Sequence, residues 1–228
     1  MSGPIRKPTR IASLAAVLAA LLPAFFILSA LDAITMALAF ILVGHVVGGL
    51  GDEVRTRSYR WTGRTIVLVG AVVAFVGVAR GFAAAPSPRY IVVVGPTLLG
   101  AWLLGLGVVP VRKGSRWLVK AGSFVLLAGV IMAGVVQMGD LQTFLLATIA
   151  VVVAWDAADH SITLGTQLGR GAKTAQVEVT HLAGTVAMGV VAYLATKAVE
   201  GFGTPGVPLA ALLGLLAAVL VLTIALHR

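Results

Sequence analysis

The 228-residue chain has no cysteine, and only 11% of its residues are charged. The lack of cysteine excludes disulfide bonds, thiolate metal sites and cysteine nucleophiles. A soluble globular chain carries about a quarter charged residues, so this low fraction excludes a disordered chain, a coiled coil and an ordinary soluble enzyme. Hydrophobic residues make up 59% of the chain. The composition therefore indicates an integral membrane protein.

Several motifs of enzyme chemistry are also missing. The sequence contains no P-loop, no GxSxG element and no HExxH motif. We therefore expect no ATP hydrolysis, no metalloprotease activity and no cofactor. The net charge of +9 does not predict nucleic-acid binding, because the basic residues form short clusters between apolar runs.

Long apolar runs predict the fold. A spanning helix needs about 20 mostly apolar residues to cross roughly 30 Å of hydrocarbon, whereas barrel strands alternate over about ten residues. The sequence predicts an all-α polytopic transmembrane helix bundle, which forms a single domain over residues 1–228. Its eight predicted spans are 11–28, 33–50, 65–82, 91–109, 119–138, 141–158, 177–197 and 207–226.

The basic residues predict the orientation of these spans. With the N-terminus inside, 14 of the 17 Lys and Arg residues lie in inner segments, and only Arg80, Arg89 and Lys197 lie outside. Cations stay on the cytoplasmic side because moving each one into the bilayer costs on the order of 3 kcal/mol. We expect both termini in the cytoplasm of a multi-pass protein of the cell membrane. The first 30 residues also resemble a secretory signal, but their apolar run is long for that purpose.

The odd-numbered spans begin at an even interval of about 55 residues, a period that predicts four tandem helical hairpins. Arg60-Trp61 recurs as Arg116-Trp117 in two of these units. Short loops alone would also give an even interval. Small residues four apart let helices approach closely, and we assign this packing role to Gly44, Gly48, Ala101 and Gly105.

Two further groups of charged residues have simple interpretations. Asp52 and Glu53 come just after the second span and are followed by Arg55 and Arg57, so we expect a solvated loop of mixed charge. Asp140 lies in an outer turn, where an aspartate caps a helix or faces water.

Polar residues concentrate around the junction of the sixth and seventh spans. At 100° per residue, Asp156, Asp159, His160, Thr163 and Gln167 lie on one face of a helix that continues past the sixth span. Thr174, Glu178, His181 and Thr185 form a second stripe. Gly169-Arg170-Gly171 predicts a turn between the two stripes. The candidate cluster therefore comprises Asp156, Asp159, His160, Thr163, Glu178 and His181.

This cluster allows three interpretations. The first is a hydrogen-bonded joint at the membrane surface, with Arg170 and Lys173 as counter-charges. The second is a proton or ion pathway, because charges near a bilayer face a bundle interior or a wet cavity. The third is a metal site, since carboxylate and histidine three residues apart on facing helices hold di-metal centres. Its ligands would be Asp156, His160, Glu178 and His181. His45, the other histidine within a span, could join the cluster if the second span packs nearby, although a lone buried histidine more commonly bonds a carbonyl group.

The stretch 155–160, together with 164–170, resembles an uncharacterised family of haloarchaeal integral membrane proteins, a domain of unknown function. The resemblance covers mainly residues 150–185 and the hairpin layout, and it implies no catalytic residue. It also implies genomic neighbours of two kinds, MoxR-type ATPases and transglutaminase-like membrane proteins.

Two functions follow as expectations. The first is a non-enzymatic membrane component of a multi-protein assembly, whose partners are the lipid bilayer and other membrane proteins. The alternative is a small ion- or proton-coupled transporter that uses the polar cluster. A membrane-embedded metal-dependent enzyme is a third interpretation. The oligomeric state stays open.

Overall fold

The fold is known from a computed structural model, which describes residues 7–29, 31–56, 59–109, 115–169 and 172–201. Within these residues the chain forms seven helices and no strands. The helices are α1 Arg10–Leu28, α2 Asp32–Thr56, α3 Arg60–Ala83, α4 Pro88–Val108, α5 Arg116–Val135, α6 Leu141–Gln167 and α7 Ala175–Gly201. The predicted eighth span, 207–226, lies outside the described residues.

All seven helices are long and apolar enough to cross a membrane. The predicted all-α class is therefore confirmed, and the chain is a multi-pass membrane protein. The number of spans and the side on which the termini lie stay predictions. α6 continues to Gln167, beyond the predicted end of the sixth span at residue 158.

The chain divides into two units, Met1–Gly189 and Val190–Arg228. All contacts described below lie within the first unit. In the second unit, the structure describes residues 190–201, which are the last turns of α7.

Three helix pairs make the most extensive contacts: α2 with α3, α4 with α5, and α1 with α6. The first two pairs join the second helix of one predicted hairpin to the first helix of the next. The third pair brings together helices that are far apart in the sequence. Tight packing in the first unit therefore runs between the predicted hairpin units rather than within them.

Glycine permits the closest of these approaches. A Cβ atom on Gly44 would collide with the backbone of Gly70 and Ala74 in α3. A Cβ atom on Gly70 would likewise lie 2.5 Å from the backbone nitrogen of Gly48. Backbones can approach this closely in lipid only where side chains are absent. The α4–α5 pair uses the same device, because a Cβ atom on Gly100 would lie 2.5 Å from the backbone nitrogen of Leu126.

One end of the first unit, here called the basic end, collects the charged side chains. Ion pairs join the start of α1 to the end of α2, and the start of α5 to the end of α6. A hydrogen bond joins α7 to the start of α1. At the other end of α6, Asp140 caps the helix by accepting a 2.8 Å hydrogen bond from the backbone N–H of Thr143. The predicted capping role of Asp140 is thus confirmed.

Candidate functional site

The six residues of the predicted cluster all lie at the basic end, but they form three groups rather than one. Asp156, His160 and His181 meet between α6 and α7. Glu178 instead contacts the start of α1. Asp159 and Thr163 face α5. Helical periodicity predicted which side chains share a face of α6 or α7. Contacts with different neighbouring helices separate these side chains into three groups.

The central group is a pair of stacked imidazoles, here called the histidine stack. The rings of His160 and His181 are parallel within 7°, and their centroids are 3.8 Å apart. Nε2 of His181 lies 2.8 Å from Oδ2 of Asp156, and the same oxygen accepts a 2.6 Å hydrogen bond from the hydroxyl of Thr185. Nε2 of His160 is buried and has no hydrogen-bond partner among the described residues, whereas Nε2 of His181 is in contact with the Asp156 carboxylate.

The stacked geometry argues against a shared metal ion at the two histidines. An imidazole lone pair lies in the plane of its ring, and zinc binds in that plane at about 2.0–2.1 Å from the nitrogen. Nearly parallel planes at this separation do not converge on one point. Within the described residues, no three His, Asp or Glu side chains form a group that could hold a metal ion.

Glu178 caps a helix that begins far away in the sequence. Its Oε2 atom accepts a 2.8 Å hydrogen bond from the backbone N–H of Ala12, in the first turn of α1. Its Oε1 atom accepts a 2.6 Å hydrogen bond from the hydroxyl of Thr174. The N-cap residue of α1, Thr9, makes no side-chain cap. A helix N-terminus carries partial positive charge. The N-terminus of α1 therefore compensates the negative charge of Glu178, a residue that is only 2% exposed.

The third group lies between α5 and α6. Nη2 of Arg116 donates a 3.0 Å hydrogen bond to the hydroxyl of Thr163, and Nε of Arg116 lies 3.6 Å from Oδ1 of Asp159. Sequence reasoning expected Arg170 and Lys173 as counter-charges of the cluster. The counter-charge of Asp159 is instead Arg116. Arg170 lies outside the described residues.

Sequence reasoning also missed a buried ion-pair cluster, formed by Lys7, Asp52 and Arg55. Oδ1 of Asp52 lies 2.7 Å from Nζ of Lys7 and 2.7 Å from Nη2 of Arg55. The side chains of Lys7 and Asp52 are 7% and 2% exposed. The prediction of a solvated loop was wrong at Asp52, because α2 continues to Thr56 and turns this side chain inward. One available signal was the seven-residue spacing from His45 to Asp52, which places both on one helix face.

The start of the described chain crosses α6 directly before α1 begins. The backbone N–H of Thr9 donates a 3.0 Å hydrogen bond to the carbonyl oxygen of Ser161. Lys7 and Thr9 are both buried. Gly165 makes the crossing possible, because a Cβ atom there would collide with the carbonyl group of Lys7. Residues 7–12 therefore connect α1 with α2, α6 and α7 at the basic end.

His45 lies apart from the histidine stack, in α2. Its Nδ1 atom is 2.7 Å from the carbonyl oxygen of Ile41, and its Nε2 atom is 3.3 Å from that of Trp102. The expected bond to a carbonyl group is thus present. A side chain on Gly105 would overlap the imidazole ring, so Gly105 makes room for His45. Ala101, one turn earlier in α4, is also buried.

Comparison with known proteins places the chain in a family. The model of DUF7519, a family of unknown function, matches residues 76–223. The chain belongs to this family. The DUF7519 match includes the histidine stack, Glu178 and Arg116, while the cluster of Lys7, Asp52 and Arg55 precedes it. The expected membership of an uncharacterised family is confirmed, and the haloarchaeal origin stays a prediction. No curated protein and no solved structure matches the chain.

Proposed function

We propose that the protein is a non-enzymatic membrane component of a multi-protein assembly in the cell membrane. In this proposal the basic end and both termini lie in the cytoplasm. The proposal rests on the contacts that the carboxylates of the polar cluster make. Asp156, Asp159 and Glu178 each bind a group on another helix, so these carboxylates act as connections between helices.

Two other features support an assembly role. The described connections between helices are short, which leaves little room there for a soluble catalytic domain. The sequence also lacks the P-loop, GxSxG and HExxH motifs of common enzyme chemistry. A helical protein of this kind acts through the surfaces it offers to lipid and to other membrane proteins.

One observation favours proton-coupled transport as the second candidate. The histidine stack lies beside Asp156, and imidazole next to carboxylate can relay protons. However, a transporter needs polar groups at mid-membrane depth. In α6, the segment 144–155 has one polar side chain apart from Trp155, that of Thr148, and its hydroxyl bonds the backbone carbonyl of Phe144.

Purification in mild detergent tests the two candidates against each other. We expect wild-type protein to bring down partner proteins in stoichiometric amounts and to show only background proton flux in vesicles. We expect Asp156→Asn and Glu178→Gln to lower the unfolding free energy by about 1–2 kcal/mol, because each weakens a connection between helices. Flux should stay at background in both variants.

Asp32→Asn is the matched control, because this carboxylate lies in the first turn of α2, at the end of that helix away from Asp52. It should leave stability and partner recovery close to those of the wild type. Recovery of the chain alone, together with proton flux that Asp156→Asn abolishes, would refute the assembly role in favour of transport.

Cysteine labelling tests the proposed orientation. Because the chain has no cysteine of its own, only an introduced cysteine can react with the label. Arg60 and Arg89 are exposed at opposite ends of the α3–α4 hairpin. In intact cells, a membrane-impermeant maleimide should label Arg89→Cys and leave Arg60→Cys unlabelled, because cytoplasmic segments collect the basic residues. Permeabilised cells should label both variants. Labelling of Arg60→Cys from outside would reverse the proposed topology.

A further inference from the structure

A cavity of about 370 Å³ opens near the basic end, between α1, α2 and α4. Its size falls within the range of about 300–1,000 Å³ that is usual for small-ligand sites. None of the polar-cluster residues lines it. Its lining includes Arg10, Leu14, Val46, Gly49, Leu50 and Glu53.

The walls of the cavity are mostly apolar and open outward. Leu14 is 51% exposed, Val46 45% and Leu50 61%. In a membrane, these side chains meet acyl chains instead of water. From His45 to Glu53 the cavity follows α2 for eight residues, or about 12 Å at 1.5 Å per residue. This length corresponds to the part of an acyl chain nearest the headgroup, and it is shorter than the thickness of a membrane leaflet.

The other end of the cavity is charged. Nη2 of Arg10 lies 2.6 Å from Oε2 of Glu53, and the Arg10 side chain is 66% exposed. Arg10, Asp52 and Glu53 line this end of the cavity. Both carboxylates are paired, Glu53 with Arg10 and Asp52 with Lys7 and Arg55, so these five described side chains together carry one excess positive charge. A guanidinium group has five N–H donors and matches the geometry of a phosphate. The excess positive charge favours a headgroup that has a phosphate but no cation of its own, which is an anionic headgroup.

Open space lies directly beside Gly49. A Cβ atom on Gly49 would have no atom within 4 Å, and the residue lines the cavity. In contrast, Gly44 and Gly51 in the same helix face neighbouring atoms of α3 with which a Cβ would collide. Close packing of helices therefore does not explain a glycine at position 49.

We propose that this cavity binds one phospholipid with an anionic headgroup. Arg10 binds the phosphate, and the first part of an acyl chain lies against Leu14, Val46 and Leu50. The site depends only on the protein being in a membrane, so it is independent of the assembly role proposed above.

Native mass spectrometry after addition of phosphatidylglycerol or phosphatidylcholine tests the site. We expect wild-type protein to retain one phosphatidylglycerol molecule in preference to phosphatidylcholine. Gly49→Leu should fill the cavity and reduce retention about tenfold, the equivalent of 1.4 kcal/mol. Gly134→Leu and Gly184→Leu are matched controls, because a Cβ atom at either position also meets nothing within 4 Å. Both controls should bind as the wild type does.

The headgroup preference is tested by a second matched pair. Arg10→Gln and Glu53→Gln break the same ion pair, but only the first removes the cation. We expect Arg10→Gln to lose the preference for phosphatidylglycerol and Glu53→Gln to keep it. Equal retention of the two lipids by the wild type, or loss of preference in both variants, would overturn the anionic headgroup.

Unchanged retention in Gly49→Leu, or no lipid retained by the wild type, would overturn the site itself. Elution volume and thermal midpoint show whether Gly49→Leu is folded. If it is not, Leu14→Phe fills the cavity from α1 and should give the same loss of retention. A folded Leu14→Phe variant that binds as the wild type does would equally overturn the site.

Discussion

Asp52→Asn should lower the free energy of unfolding by about 3–5 kcal/mol, the usual cost of breaking a buried ion pair on one side. The carboxylate of Asp52 contacts both Lys7 and Arg55, and the Lys7 side chain is only 7% exposed. Asparagine removes the negative charge of Asp52 while the ammonium group of Lys7 stays buried beside it. The measurement is unfolding in detergent micelles, followed by circular dichroism over a range of denaturant concentrations.

The pair of Arg10 and Glu53 supplies the control for this experiment. It joins the same two helices, but the Arg10 side chain is 66% exposed, so Glu53→Gln should cost no more than about 1 kcal/mol. The double variant Lys7→Met/Asp52→Leu removes the two most buried charges of the cluster and leaves the 12%-exposed Arg55. It should be more stable than Asp52→Asn alone, because the Lys7 charge is no longer buried. A cost for Asp52→Asn no larger than that for Glu53→Gln would show that the buried cluster is not important for stability.

Gly44→Leu should prevent α2 and α3 from packing together. A Cβ atom at this position already collides with the backbone of Gly70 and Ala74, and backbone within a helix cannot move aside as a flexible side chain can. Overpacking a core costs about 1–3 kcal/mol, and occasionally more. We expect a loss at or above the upper end of this range, because α2 with α3 is one of the three most extensive helix pairs.

The measurement is the monodisperse fraction in size-exclusion chromatography, together with the thermal midpoint. Gly44→Ala should already be clearly destabilised. Gly184→Ala provides the comparison, because its added methyl group meets no neighbour, and alanine favours a helix by about 1 kcal/mol over glycine. Equal midpoints for Gly44→Ala and Gly184→Ala would contradict the close approach of α2 and α3.

Hydropathy could predict the seven described helices, because a hydrocarbon environment permits few alternatives to the helix. Helical periodicity could also predict that His160 and Asp156 share a face of α6. These inferences need only local sequence, and the structure places both side chains between α6 and α7.

The choice of neighbouring helix could not be predicted in the same way. Asp159 and His160 are adjacent in the sequence, but one faces Arg116 of α5 and the other faces His181 of α7. Glu178 binds the start of α1, 166 residues away. Spacing along one helix carries no information about which helix packs against it, so the predicted single cluster became three groups.

The hydrogen bond between Glu178 and Ala12 has a consequence for biosynthesis. Ribosomes add about 5–20 residues per second, so α1 enters the membrane many seconds before its acceptor on α7 has been made. Lys7 finds Asp52 sooner, since only 45 residues separate them. During this interval the backbone N–H of Ala12, in the first turn of α1, must donate its hydrogen bond to water or to lipid headgroups at the membrane surface. The native arrangement of the first helix is therefore completed only after most of the chain has been translated.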